Sequence, residues 1–394
     1  MRHPPLPRPA IAALPVSKIR AVANAALGKP GVLPFWFGES DRVTPDHVRA
    51  AAIASLDAGD TFYTHNFGTP ELRDALSSYL QALHGRPIAR DRIIVTSAGI
   101  SGLMIAMQAI LSPGDRVVVL APTWPSLTEI PSILGAVTHR VGLTATADGF
   151  ALALDDLLAA ITPDTRLVLL NSPANPTGWT IDPEHRAPIL DRCREVGAWL
   201  ICDDVYERLL INSSDAAAPS FLPLIDEADR VISVNSFSKA WAMTGWRLGW
   251  MVAPAAMAPE LGKLLEFNTS CAPGFVQAGG LAALAHGARH GESDLLAFRA
   301  RLNTQAGRLT AGLKTLSGIF APPPTGGMYL FLHIDGCPDS LTTATRLIDE
   351  AGLGLAPGAA FGPAGEGWLR WCFASTPERL DEGIERLAGW LARR

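Results

Sequence analysis

The sequence predicts an α/β protein: a large domain on a mainly parallel sheet flanked by helices, joined to a smaller α+β domain. Three observations predict it. Short β-branched runs alternate with amphipathic stretches from about residue 92 onward, the 394-residue chain is long enough for roughly two to three ordinary domains, and its texture changes after about residue 285.

The strand runs come first. Residues 92–97, 116–121, 166–171, 198–202 and 231–235 carry the Val, Ile and Leu density of strands covered on both faces. Between them, residues 102–111 and 184–196 space their apolar side chains at helical intervals, as crossovers between parallel strands require. Past residue 285 come a long helix over 293–316, a breaker at Pro322, Pro323 and Pro324, and a strand over 328–333. The expected division is an N-terminal arm with the first part of the small domain (1–45), a large domain (46–285) and a small C-terminal domain (286–394).

Composition narrows the function. Apolar residues make up 48% of the chain and charged ones 18%, a balance suited to a deep core and a subunit interface. With 33 basic against 38 acidic residues the net charge is -5, which gives no basic footprint for nucleic acid. Cys193, Cys202, Cys271, Cys337 and Cys372 form no CxxC pair and no metal-type cluster, so reduced thiols, a cytoplasmic location and no metal are expected. Pro4, Pro5, Pro7 and Pro9 interrupt any signal-like apolar run, and no other run approaches the roughly 20 residues of a membrane span. The proline-rich first fifteen residues read as a loose arm or one that crosses to a partner subunit.

Ligands of such a sheet collect where the strands end. Three strand ends here carry an unusual set of groups: the Asn-Pro turn in Asn171-Ser-Pro-Ala-Asn175-Pro-Thr-Gly178, the pair Asp203-Asp204 ahead of Tyr206, and Ser236-Phe-Ser238-Lys239 with Arg247 eight residues on. A lysine at a turn is ordinarily a surface cation. Desolvated and close to a second cation such as Arg247, it becomes a nucleophile toward aldehydes.

Together these motifs resemble fold-type I pyridoxal 5′-phosphate (PLP) enzymes, and among them the class I aspartate aminotransferase-like family, over about residues 35–375. The resemblance rests on NSPANPTG, DDVY and SFSKAWAMTGWRLG in order, with YTHNFGTPELR at 63–73 and WLRWCFA at 368–374. It implies a seven-stranded sheet, a homodimer with its sites at the subunit interface, and transfer of an amino group between an L-amino acid and a 2-oxo acid by a ping-pong route. Lys239 would hold the cofactor as an imine and then shuttle the proton. Asp203 would pair with the pyridine nitrogen, with Asp204 the competing carboxylate. Tyr206 and Asn175 would donate to the phenolic oxygen.

Arg247, Ser236 and Ser238 would clamp the phosphate, helped by the backbone of Ala98, Gly99 and Ile100 at a strand-to-helix turn and by Tyr63 from the partner subunit. Trp124 would stack on the ring. Arg370, in an apolar stretch, would anchor the substrate carboxylate unless a structural Asp or Glu claims it, with Gly38 and Asn175 beside it. Pro357-Gly358, Phe361-Gly362 and Thr325–Tyr329 would be structural.

Ser40 and Val43 depart from the family's usual proline and aromatic beside the substrate entrance, so side-chain specificity is open. No second arginine can be assigned to an acidic side chain, which leaves an acidic substrate disfavoured. Two other readings stay open: elimination or oxidation at the same carbon, and a PLP-sensing transcription regulator. The regulator needs a DNA-binding module, and only about 35 residues precede the first motif.

Overall fold

The computed structural model describes residues 6–394; Pro4 and Pro5 of the N-terminal arm lie outside the described residues. The large sheet comprises β1 (Ile93–Thr96), β2 (Arg116–Ala121), β3 (Val137–Thr146), β4 (Gly149–Leu152), β5 (Thr165–Asn171), β6 (Trp199–Asp203), β7 (Val231–Ser236) and β8 (Gly249–Val252), in the order β1-β8-β7-β6-β5-β2-β3-β4. From β7 through β3 every neighbour is parallel, while β8 runs antiparallel to both β7 and β1. The seven expected strands are present, and β4 adds an eighth. It folds back on the far end of β3 through a hairpin whose turn ends at Gly149, with Thr146 opposite it.

Period-two alternation explains why strands of nearly unbroken hydrophobicity form here. In β2, Val117 and Val119 face one apolar layer with Leu103, Met107 and Leu261, whereas Val118 and Leu120 face the other with Leu72, Leu76 and Phe237. Helix Gly99–Ile110 covers the first face and Pro70–His84 lies in the second layer. Helix Pro70–His84 is capped by the Thr69 hydroxyl, which accepts from Leu72 N, and ends at Gly85 in the left-handed region, φ 67°. Truncating one of these fully buried leucines to alanine costs about 2–5 kcal/mol.

A second, antiparallel sheet contains β9 (Ile319–Phe320), β10 (Tyr329–Ile334), β11 (Ala356–Pro357) and β12 (Trp368–Cys372), ordered β9-β10-β12-β11. Its apolar side packs with the long helix Ser293–Lys314 and with Pro377–Leu391 in one layer that includes Leu302, Leu309, Trp371 and Leu387. Leu33–Pro34 pairs in parallel with Leu353–Gly354 in a separate two-stranded sheet, which ties the N-terminal stretch to the segment leading into β11. Among the described residues no helix is long and apolar enough to cross a membrane, and the five cysteines are unpaired.

Because β8 alone of these six runs the other way, the carboxyl ends of β1, β2, β5, β6 and β7 and the start of β8 emerge at the same edge. That edge faces β10 and β12 of the small sheet, and the space between them is the principal cavity, about 540 Å³.

Candidate active site

The cavity gathers Gly38, Gly99, Ile100, Trp124, Asn175, Asp203, Tyr206, Ser236, Ser238, Lys239 and Arg247. They come from six separate chain segments. Its volume falls within the range of small-molecule and cofactor sites, roughly 300–1,000 Å³.

Lys239 follows β7 and points inward, donating to the carbonyl of Gly38. Burial lowers its amine to about 8; Arg370 and Arg247 press the same way, against Cys372 and Glu39. Its Nζ lies 5.8 Å from the centre of the Tyr206 ring. Asp203 ends β6 and lines the cavity, and burial, reinforced by Asp204, raises its carboxyl to about 7. No lysine, arginine or histidine among the described residues forms an ion pair with it; it accepts only from Val205 N at 3.4 Å. Asp204 is used differently. Its carboxylate accepts from the Ser233 hydroxyl at 2.5 Å, away from the cavity lining.

The turn after β1 is strained. Ala98 has φ 89° and ψ 157°, a region that L residues rarely occupy, and it precedes helix Gly99–Ile110. The helix starts three residues before the sequence pattern suggested, which brings Gly99 and Ile100 into the first turn, where backbone N–H groups lack partners within the helix. Ala98 is buried beneath the cavity lining. The strand start opposite must be glycine: a Cβ on Gly249 would stand 2.6 Å from Gly99 N, 2.7 Å from Asn235 O and 2.8 Å from Ala98 C.

Ser236 Oγ donates to Ser238 Oγ at 2.9 Å, and Ser238 N donates to Ser236 Oγ at 3.1 Å. Arg247 is exposed at the rim, in the left-handed region at φ 54°, and donates to Thr244 O. A cation, two hydroxyls and a helix start therefore converge at one end of the cavity, a set suited to a phosphate.

At the other end, Arg370 on β12 is 1% exposed. Its Nη1 donates to Asn175 Oδ1 at 2.8 Å and its Nη2 to Trp36 O, while its Nε is buried without a partner. No carboxylate pairs with it among the described residues. Arg208, as deeply buried, has Glu292. Arg370 stands behind the cavity wall, its guanidinium 4.3 Å from the centre of the Tyr329 ring and 4.9 Å from that of Phe361. Asn175 is held in turn through its backbone N–H to Asn171 Oδ1 at 2.8 Å, and Asn171 Nδ2 donates to Asp203 O at 3.0 Å. Trp124 lines the wall half-buried, while Tyr63 lies elsewhere at 88% exposure.

Sequence reasoning missed several lining residues. Arg20 in helix Lys18–Ala25 reaches the cavity with its guanidinium 5.1 Å over the Phe37 ring, and Glu39, Leu103 and Thr244 join it. Tyr329, read as structural, also lines the cavity, and its hydroxyl lies 2.6 Å from that of Tyr206. Arg20 carried no local signal, since the helix holding it lies far from every motif. The TGGMY stretch did mark Tyr329, but not its use.

The fold and the cavity define an α/β protein with a half-buried lysine on the wall of a cavity the size of a cofactor site. The chain's residues 35–387 match the model of aminotransferase class I and II. An aspartate aminotransferase of Pyrococcus horikoshii is 33% identical over 375 residues, covering 94% of this chain and 93% of that protein. A probable N-acetyl-LL-diaminopimelate aminotransferase of Bacillus subtilis is 31% identical over 374 residues, covering 94% and 92%. A solved single mutant of the Thermus thermophilus aspartate aminotransferase superposes with a TM-score of 0.90 at 32% identity, over 99% of this chain and 100% of that one. The chain belongs to the class I and II aminotransferase family, and it is an aminotransferase acting on amino acids and 2-oxo acids. Membership implies dependence on PLP.

Proposed function

We propose that the cavity holds PLP covalently at Lys239 and that the protein passes an amino group from an L-amino acid to a 2-oxo acid in two successive half-reactions. The observation that carries this reading is Asp203, a buried carboxylate on the cavity wall with no ion-pair partner among the described residues. An ion so placed calls for a partner, and a protonated ring nitrogen supplies one. The donor set fits the rest of the group: Arg247, Ser236, Ser238 and the first turn of helix Gly99–Ile110 for the phosphate, Tyr206 and Asn175 for the phenolic oxygen, and Trp124 for the ring face. When bound, the group supplies a conjugated pyridine ring that accepts the electron pair released at the substrate's Cα.

The chain's own residues do the remainder. Asp203 keeps the ring nitrogen protonated. Lys239, partly neutral near pH 7, would hold the group as the nucleophile and, once released, would be the base that takes the substrate's Cα proton. Arg370 binds the substrate carboxylate through its unpartnered edge, with Asn175 and the Gly38 backbone fixing its place. Burial beneath the small sheet keeps water from that ion pair.

We read the active molecule as a homodimer in which Tyr63 reaches the neighbouring copy's phosphate, and the chain as a large part (46–285) closed by a small one (1–45 with 286–394) that moves on substrate binding. The pairing of Leu33–Pro34 with Leu353–Gly354 supports grouping the N-terminal stretch with the small part. The test is reconstitution with PLP, borohydride reduction and peptide mapping. The adduct belongs on Lys239, and single amino acids without an acceptor should drive one stoichiometric spectral change. An adduct elsewhere, or multiple turnovers releasing ammonia, pyruvate or peroxide without acceptor, would overturn the reading.

A further inference from the structure

We propose that Tyr329 is a positioning residue of the reaction site: its hydroxyl donates to Tyr206 and so turns the Tyr206 O–H toward the cavity, while its ring supports the guanidinium of Arg370. The inference rests on the cofactor reading above.

Tyr329 opens β10 on the small sheet, whereas Tyr206 follows β6 of the large one, so their contact crosses between the two sheets. The rings meet edge to face, 5.6 Å apart at 79°, and the hydroxyl oxygens lie 2.6 Å from one another. Among the described residues each hydroxyl has the other as its only hydrogen-bond partner. Burial keeps both phenols protonated, raising Tyr329 to about 12 and Tyr206 well above its ordinary value. Two protons therefore serve one hydrogen bond, and one of them must face the cavity.

The direction follows from the cation beneath Tyr329. Arg370 lies 4.3 Å from the centre of that ring, nearer than Lys239 at 5.8 Å from the centre of the Tyr206 ring, so the closer cation draws harder on the Tyr329 hydroxyl and makes it the better donor. The Tyr206 proton is left for an acceptor in the cavity. Donating through a hydroxyl that itself accepts a hydrogen bond strengthens that donor.

Gly38 makes room for the arrangement. A Cβ there would stand 1.9 Å from Tyr329 Oη, so a larger residue would push the phenol off Tyr206.

The experiment is a pH titration of the visible absorbance of the PLP-loaded protein. A weaker Tyr206 donor leaves more charge on the oxygen it serves, so the neighbouring proton is lost at higher pH. Tyr329→Phe should raise the midpoint by about 0.5–1 pH unit. Tyr206→Phe should raise it further, and adding Tyr329→Phe to that variant should change nothing more. In parallel, calorimetry on the cofactor-free protein measures the affinity of an unreactive carboxylate, maleate: Tyr329→Phe, which keeps the ring, should stay close to the unmodified protein, and Tyr329→Leu should bind roughly 5- to 30-fold more weakly. An unmoved midpoint in Tyr329→Phe, or an equal added shift in the Tyr206→Phe background, overturns the proton order. Equal maleate affinity in the Leu variant overturns the support of Arg370. If the unmodified loaded protein shows no titrating visible band, the cofactor reading itself falls, and the inference with it.

Discussion

Arg370, on the small sheet, donates to Asn175 at an edge of the large sheet across 2.8 Å, and its Nε has no partner among the described residues. A buried guanidinium that lacks an anion is incomplete until a carboxylate arrives. Arg370→Ala should therefore raise KM for amino and oxo acids by a factor on the order of 100 or more, with a smaller loss in kcat. Saturation curves of the half-reaction with a single amino donor measure this. Unchanged affinity would remove Arg370 from the anchor role.

Asp203 leads to a statement about pH. In the cofactor-free protein, burial raises Asp203 to about 7, Asp204 to about 6 and Glu207 to about 8. Acids raised on folding hold protons that the unfolded chain has released, so their stabilising effect is complete below the unfolded values and is lost as pH climbs through the folded ones. His84, lowered to about 4 by burial, works oppositely but only below its ordinary 6.5. Between pH 6.5 and about 7.5 the cofactor-free Tm should fall, at up to roughly 1.4 kcal/mol per pH unit for each group still titrating, before Lys239, lowered to about 8, begins to work oppositely. Asp203→Asn should flatten that fall, as should PLP, which gives Asp203 a cation. A Tm that rises over this window would contradict the protonation pattern.

Gly249→Ala tests the phosphate end. The added methyl would press on three backbone atoms that cannot yield by a rotamer change. A loss of about 1–3 kcal/mol in folding stability is expected, together with weaker PLP binding. Thermal melts and equilibrium dialysis report the two effects.

Tyr63 addresses the assembly. It is 88% exposed beside Phe62 at 82%, a pair of bare aromatic rings that suits an interface. Sedimentation should give twice the 41.8 kDa chain mass. Tyr63→Ala and Lys239→Ala should each be impaired alone, yet mixed subunits should recover activity, because one of their two sites is intact. No recovery in verified hybrids would rule out the crossing tyrosine.

The fold was legible wherever burial on both faces left continuous β-branched runs, and those strands begin and end within a residue or two of the pattern. The gathering of Asp203, Asn175 and Lys239 at one edge was legible for the same reason, since they sit in short motifs attached to strands. The family pattern favoured Asp203 over Asp204, and the physical reason appears only in the fold, where alternation sends one to the cavity and the other to Ser233. Arg20 and the alliance of Tyr329 with Tyr206 were hidden because they depend on packing between distant segments. The strain at Ala98 was hidden too, because alanine gives no warning of a positive φ.

Ser236 and Gly249 are cross-strand partners, and the stretch between them carries Lys239 and Arg247. A stretch whose two feet are bonded together behaves as a closed ring on a fixed mount. The spacing between Lys239 and Arg247 is thus insulated from insertions elsewhere in the polypeptide, and the segment could be transplanted as one cassette onto any scaffold presenting the same antiparallel pair of ends.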